Sequence, residues 1–169
     1  CFAKETPSDF FKKYQMLGDN FDVKLIRLYS KDAKTSTLRF NSNGQSQILE
    51  MSGKKWRSIL KKSMPIAKKS NDKNIFENIN ITETKDGFKL TASRYSTLKC
   101  HQDTAYYMLI EPYKNSYLIT QEFTQTLVAS KCPADEVDLQ QMLLNTEKQH
   151  KAYIPIKVEY SDKYNLKKI

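Results

Sequence analysis

Residues 88–128 read FKLTASRYSTLKCHQDTAYYMLIEPYKNSYLITQEFTQTLV, and their punctuation decides the class of fold. Three extended runs, Phe88–Lys99, Thr104–Glu111 and Ser116–Val128, are parted only by Cys100-His101-Gln102-Asp103 and Pro112-Tyr113-Lys114-Asn115. Gaps this short suit tight turns and cannot hold the helical crossover that parallel neighbours require, so the runs predict an antiparallel meander. Upstream, Ile75–Thr82 is a fourth run entering across Asp86-Gly87. Thr35–Phe40 and Gln45–Met51 flank Asn41-Ser42-Asn43-Gly44, whose Asn-Gly pair signals a hairpin.

Helices precede and interrupt these runs. Thr6-Pro7-Ser8-Asp9 opens the first, with Ser8 as N-cap and Phe10, Phe11, Tyr14 and Leu17 at helical spacing up to Gly18. Asp19-Asn20 caps a second, in which Phe21, Leu25, Ile26, Leu28 and Tyr29 form an apolar side that ends near Ser30. Ser52-Gly53 precedes a third, Lys54 to about Ser63, with a stripe of Trp56, Ile59 and Leu60 and with Pro65 disturbing the turn beyond it. Pro133 begins a C-terminal helix, with Asp135, Glu136 and Asp138 in its first turn and Lys148, His150 and Lys151 near its end, as the helix dipole favours. A run from Ala152 to Tyr160 and a basic tail, Lys163–Ile169, expected to fray, complete the chain.

The 169 residues are 39% hydrophobic and 11% aromatic, enough apolar material for one ordinary domain and too much for a disordered chain. Uncharged apolar runs such as Tyr106–Ile110 fall far short of the ~20 residues of a spanning helix. The formal charge is +9, from 28 Lys and Arg against 19 Asp and Glu. That excess is concentrated in Lys54, Lys55, Arg57, Lys61, Lys62, Lys68, Lys69 and Lys73, where Asp72 is the one acid. Such a patch suits an anionic membrane surface, a lipopolysaccharide phosphate, an acidic protein, nucleic acid or a solvated helix face; ammonium groups attract diffusely, whereas bidentate reading of phosphates needs Arg. In an exported protein nucleic acid is not an expected partner.

Three Cys bear on the compartment. Cys1 at the head of the chain is what lipoprotein processing leaves behind; the bland alternative is an arbitrary start. Phe2, in place of the Asp that retains such lipoproteins at the inner membrane, directs the expectation to a periplasmic, outer-membrane-anchored protein. Cys100 and Cys132 suit a disulfide in an exported chain, or two buried thiols in a cytosolic one. Two His and two spare Cys, widely spread, make no zinc site, and no cofactor motif is present.

The order helix, helix, hairpin, helix, meander resembles the nuclear transport factor 2-like (NTF2-like, SnoaL-like) superfamily. The resemblance rests on Asp9-Phe10-Phe11-Lys12-Lys13-Tyr14 and on Asn20-Phe21-Asp22-Val23-Lys24-Leu25-Ile26-Arg27-Leu28-Tyr29-Ser30-Lys31-Asp32-Ala33. It implies an α+β cone in which N-terminal helices pack on a curved antiparallel sheet. It divides the chain into a tether, 1–7, the cone, 8–128, and a helix-strand extension, 129–169. Members hold a small apolar ligand or an isomerase, dehydratase or hydrolase site at the cone mouth, or serve as adaptors and dimerisation modules.

Strand parity supplies candidate ligand-binding residues. Alternation from Phe88 through Leu90 and Ala92 turns Arg94 inward, and alternation from Tyr117 through Ile119 turns Gln121 inward beside Phe123 and Gln125. Arg94 flanked by Tyr107, Tyr117 and Gln121 suits a small carboxylate. The alternatives are a bulge that turns Arg94 outward or a structural Glu that pairs with it. His101 and Asp103 share a face if extended, as an acid-base pair would, although they fall in an expected turn exposed to solvent. The leading expectation is a non-catalytic envelope lipoprotein, a binding or assembly module anchored at Cys1 with a Lys-rich face, open to a protein partner or to a homodimer through the sheet. The alternatives are an isomerase- or dehydratase-type enzyme in the cone and an assembly subunit of a secretion apparatus.

Overall fold

The computed structural model describes residues 4–40, 45–98, 100–128, 158–160 and 166–168. Two α-helices, α1 (Pro7–Asp19) and α2 (Gly53–Ser70), and a 3-10 helix (Val23–Leu28) cover a six-stranded sheet. Its strands are β1 (Tyr29–Phe40), β2 (Ser46–Ser52), β3 (Asn74–Glu83), β4 (Phe88–Ser96), β5 (His101–Tyr113) and β6 (Ser116–Val128). The spatial order is β2-β1-β6-β5-β4-β3. From β3 to β6 the sheet is the antiparallel meander read from the sequence, but β1 runs parallel to β6, so the sheet is mixed and the first hairpin is an addition to its far side. Two short strands, β7 (Val158–Tyr160) and β8 (Leu166–Lys168), pair with each other; the second lies in the tail expected to fray.

Four local expectations are corrected. The cap of α1 is Thr6, not Ser8: the Thr6 hydroxyl accepts from the Asp9 amide at 3.1 Å, which leaves Pro7 in the first turn, where a missing N–H is harmless. The second helix is one short 3-10 segment capped by Asp22, and Tyr29 already begins β1, with β2 on one flank and β6 on the other. Its polar string YSKDAKTSTLRF hides a strand that tertiary pairing enforces. Next, α2 continues through Pro65 to Ser70 because the ring faces solvent, neighbouring Met64 is buried, and Asn71 closes the end in the left-handed region at φ 52°. Finally, His101-Gln102-Asp103 belongs to β5, the reversal having been completed by Cys100 at φ 53°.

The core lies between the helices and the sheet. Phe10 and Phe11 of α1 pack with Leu90, Ala92, Tyr106, Met108, Ile110, Tyr117 and Ile119. Tyr117 is gripped edge-on by Phe10 and Phe88, each at 5.9 Å between ring centres. On the other side, α2 enters so closely that a Cβ on Gly53 would overlap the Ser30 carbonyl oxygen, which makes that position a glycine for steric reasons. Cys1, Cys132 and the helix expected from Pro133 lie outside the described residues, and no helix among those described is long and apolar enough to cross a membrane.

Candidate functional site

Two bulges set which side chains enter the cone. Leu109 pairs with Gln121 but Ile110 pairs with Ile119, so Thr120 is an extra residue and the alternation of β6 slips by one. Glu122 therefore takes the inward place that simple parity assigns to Gln121. It is 4% exposed and accepts hydroxyls from Tyr29 at 2.7 Å, Tyr106 at 2.6 Å and Tyr14 at 3.0 Å. The three tyrosines come from α1, the start of β1 and β5, so one carboxylate ties helix to sheet. Burial first, and the charge of Glu122 second, push all three phenols above their usual 10.0. They are donors and not bases. A carboxylate offers about four acceptor sites, and three are occupied.

Beside this cluster is a cavity of about 30 Å³ bordered by Thr35, Thr37, Leu49, Trp56, Glu122 and Thr124. Of its hydroxyls, Thr35 donates to the Met51 carbonyl at 3.1 Å, and Thr37 and Thr124 bond each other at 2.7 Å. The buried Ser36 hydroxyl, which also lines the cavity, and the Trp56 indole N–H have no hydrogen-bond partner among the described residues. Such a volume admits a water molecule or two.

The second bulge lies in β5, where Ala92 faces Tyr106 but Arg94 faces Asp103. Asp103, 1% exposed, accepts from the amides of Ala105 at 2.9 Å and Gln125 at 2.7 Å, and so satisfies donors that the broken ladder leaves over. The Arg94 Nε stands 3.7 Å from Asp103, and Nη1 donates to Asn74 at 3.2 Å. Burial raises the Asp103 carboxyl from 3.8 to about 6 even though Arg94 and the two amides pull it down. Among described residues no three His, Cys, Asp or Glu side chains are gathered as a metal would need.

The candidates from parity are distributed over separate places. Arg94 engages Asp103, and Tyr117 is a core aromatic. Tyr107 receives a hydrogen bond from Gln121 at 2.9 Å and stacks on Phe123 at 5.4 Å, with Lys89 over its ring at 4.7 Å. The side chain of His101 lies outside the described set. Sequence reasoning missed Glu122, Tyr14, Tyr29 and Tyr106. One signal was available: Glu122 is the only charged residue between Ser116 and Val128.

No protein-family model and no curated protein matches the chain. Solved structures do. An NTF2-like protein of unknown function from Shewanella oneidensis superposes with a TM-score of 0.52 at 15% identity over 71% of this chain and 99% of its own. The beta subunit of a candidate aromatic-ring-hydroxylating dioxygenase from Novosphingobium aromaticivorans gives 0.50 at 13%, over 75% and 90%. Bd1075 of Bdellovibrio bacteriovorus gives 0.53 at 16%, over 71% of this chain and 40% of that one. Likeness at such low identity speaks to architecture alone. On that ground the chain has the nuclear transport factor 2-like fold, an α+β cone.

Proposed function

We propose that this chain is a non-catalytic binding or assembly module of the bacterial envelope that meets its partner through its outer surface and not through its cone. One observation carries the reading: among the described residues the cavity beside Glu122 is too small for an organic ligand. The cavity there is about 30 Å³, against roughly 300–1,000 Å³ for a pocket that takes a small organic ligand. The carboxylate that would serve as base or acid is spent on three tyrosines of the same chain. A subunit role in one structural relative, the candidate dioxygenase beta subunit, is in keeping with an assembly module.

Trp56 is the only tryptophan and borders the cavity, so its emission and its indole N–H resonance report that site alone. Titration with small aromatic and aliphatic carboxylates, amines and ketones is expected to leave both signals unchanged. A saturable change with any of them would overturn the reading in favour of a pocket enzyme. An envelope location implies that Cys100, which is 3% exposed, pairs with Cys132, as disulfides form in exported chains. Alkylation of the denatured native protein should then label neither of these residues until a reductant is added; labelling without reductant would count against that location.

A further inference from the structure

Lys54-Lys55, Lys61-Lys62 and Lys68-Lys69 recur along α2 every seven residues. Seven residues make two helical turns with a lag of about 20°, so the pairs stay on one stripe at intervals of about 10.5 Å. All six side chains are exposed, and half-buried Arg57 and Lys73 add charge beside the stripe. The opposite side of the helix, with Gly53, Trp56, Leu60 and Met64, faces the core, so the stripe points away from the cone. No acid lies within α2, and none of the six lysines has an ion pair among the described residues. Asp72, just beyond the helix, is turned to Ser96 at 2.7 Å and to the Leu98 amide at 3.4 Å. At the edge of the stripe Ile66 is 68% exposed.

We infer that α2 lays this lysine stripe on an anionic phospholipid surface. The inference deepens the outer-surface reading above and rests on it. A regular row of ammonium groups complements a continuous plane of lipid phosphates, and Ile66 at its edge suits the apolar layer just beneath. The stripe is all Lys, with Arg57 half-buried beside it as the one guanidinium of α2, and has no aromatic on which bases could stack, which disfavours nucleic acid. It also lacks an exposed aromatic anchor of the kind around which protein interfaces concentrate their binding energy.

The test uses the whole chain and sedimentation with vesicles of phosphatidylglycerol and phosphatidylcholine, or of phosphatidylcholine alone. At about 0.1 M salt the protein should sediment with the anionic vesicles only, and at about 1 M salt with neither. Each lysine near such a surface is worth about fivefold in partitioning, so Lys61→Ser/Lys62→Ser should weaken binding about 25-fold, as should Lys68→Ser/Lys69→Ser. Lys24→Ser/Lys85→Ser, which removes the same charge from exposed positions elsewhere, should change it less than about twofold. Lys→Gln versions of each pair, which keep helix propensity, must behave alike. The inference fails if anionic vesicles are not bound, if the control pair weakens binding as much, or if binding survives 1 M salt. It also fails if duplex DNA or polyglutamate binds more tightly with the same dependence on the stripe, which would assign α2 to that class instead. None of these failures involves Trp56, so a silent Trp56 leaves the outer-surface reading standing when the membrane inference falls.

Discussion

Replacing Glu122 by Gln keeps the shape of the cluster but removes the charge that receives three phenol protons. Charge-assisted hydrogen bonds are worth roughly twice neutral ones, and the buried amide adds donors where donors already converge. Glu122→Gln should cost about 2–4 kcal/mol in urea unfolding, whereas Tyr14→Phe, at the longest of the three contacts, should cost about 1 kcal/mol. Asp103 gives a pH signature. Its carboxyl is raised in the folded state, so its contribution to stability is fully present below 3.8 and is lost as pH rises through about 6. The raised value corresponds to about 3 kcal/mol, so Asp103→Asn should flatten that part of the stability curve relative to the parent in parallel denaturations. Neither role is legible from residue type. Glu122 and Gln121 are neighbours in the sequence, and the one extra residue in β6 decides which enters the cone.

At the scale of elements, α2 depends on its entry. Ser52 caps it by accepting from the Lys55 amide at 3.3 Å, and Gly53 passes against β1 where a methyl group would meet the Ser30 carbonyl and the Ala33 side chain. Backbone cannot yield as a flexible side chain would. Gly53→Ala should therefore destabilise by about 2–4 kcal/mol despite the better helix propensity of Ala, and Ser52→Ala by about 1 kcal/mol, as read by thermal and urea unfolding. A Gly53→Ala variant as stable as the parent would show that the helix entry can shift. The start of this helix and the meander after it are legible because local chemistry and periodicity dictate them. The extent of α2 past Pro65 is not, since burial of Met64 beside the proline is a tertiary matter. The same holds for β1, whose Lys, Asp and Ser residues disfavour a strand until β2 and β6 supply partners on both flanks.

For the whole molecule, the strand order places β1, β6, β5 and β4 inside the sheet and leaves β2 and β3 at its edges. β6 has a ladder on each side and carries Ile119 and Glu122 into the core, while β3 is broken near Asn78, at φ 54°. Native-state hydrogen exchange should be slowest in β5 and β6 and fastest in β2 and β3, by at least about tenfold between the two groups. Slow exchange in β3 would point to a further element covering that edge.

The sequence by itself determined the α+β class, the antiparallel meander from β3 to β6 and the lysine stripe, because each follows from spacing that adjacent residues set. Only the tertiary structure decided that β1 lies parallel to β6, that Glu122 and not Gln121 faces inward, and that Arg94 belongs to Asp103. The physical reason is the same in each case. A bulge of one residue or a pairing between distant segments reverses which face a side chain occupies, and alternation along a single strand carries no record of either.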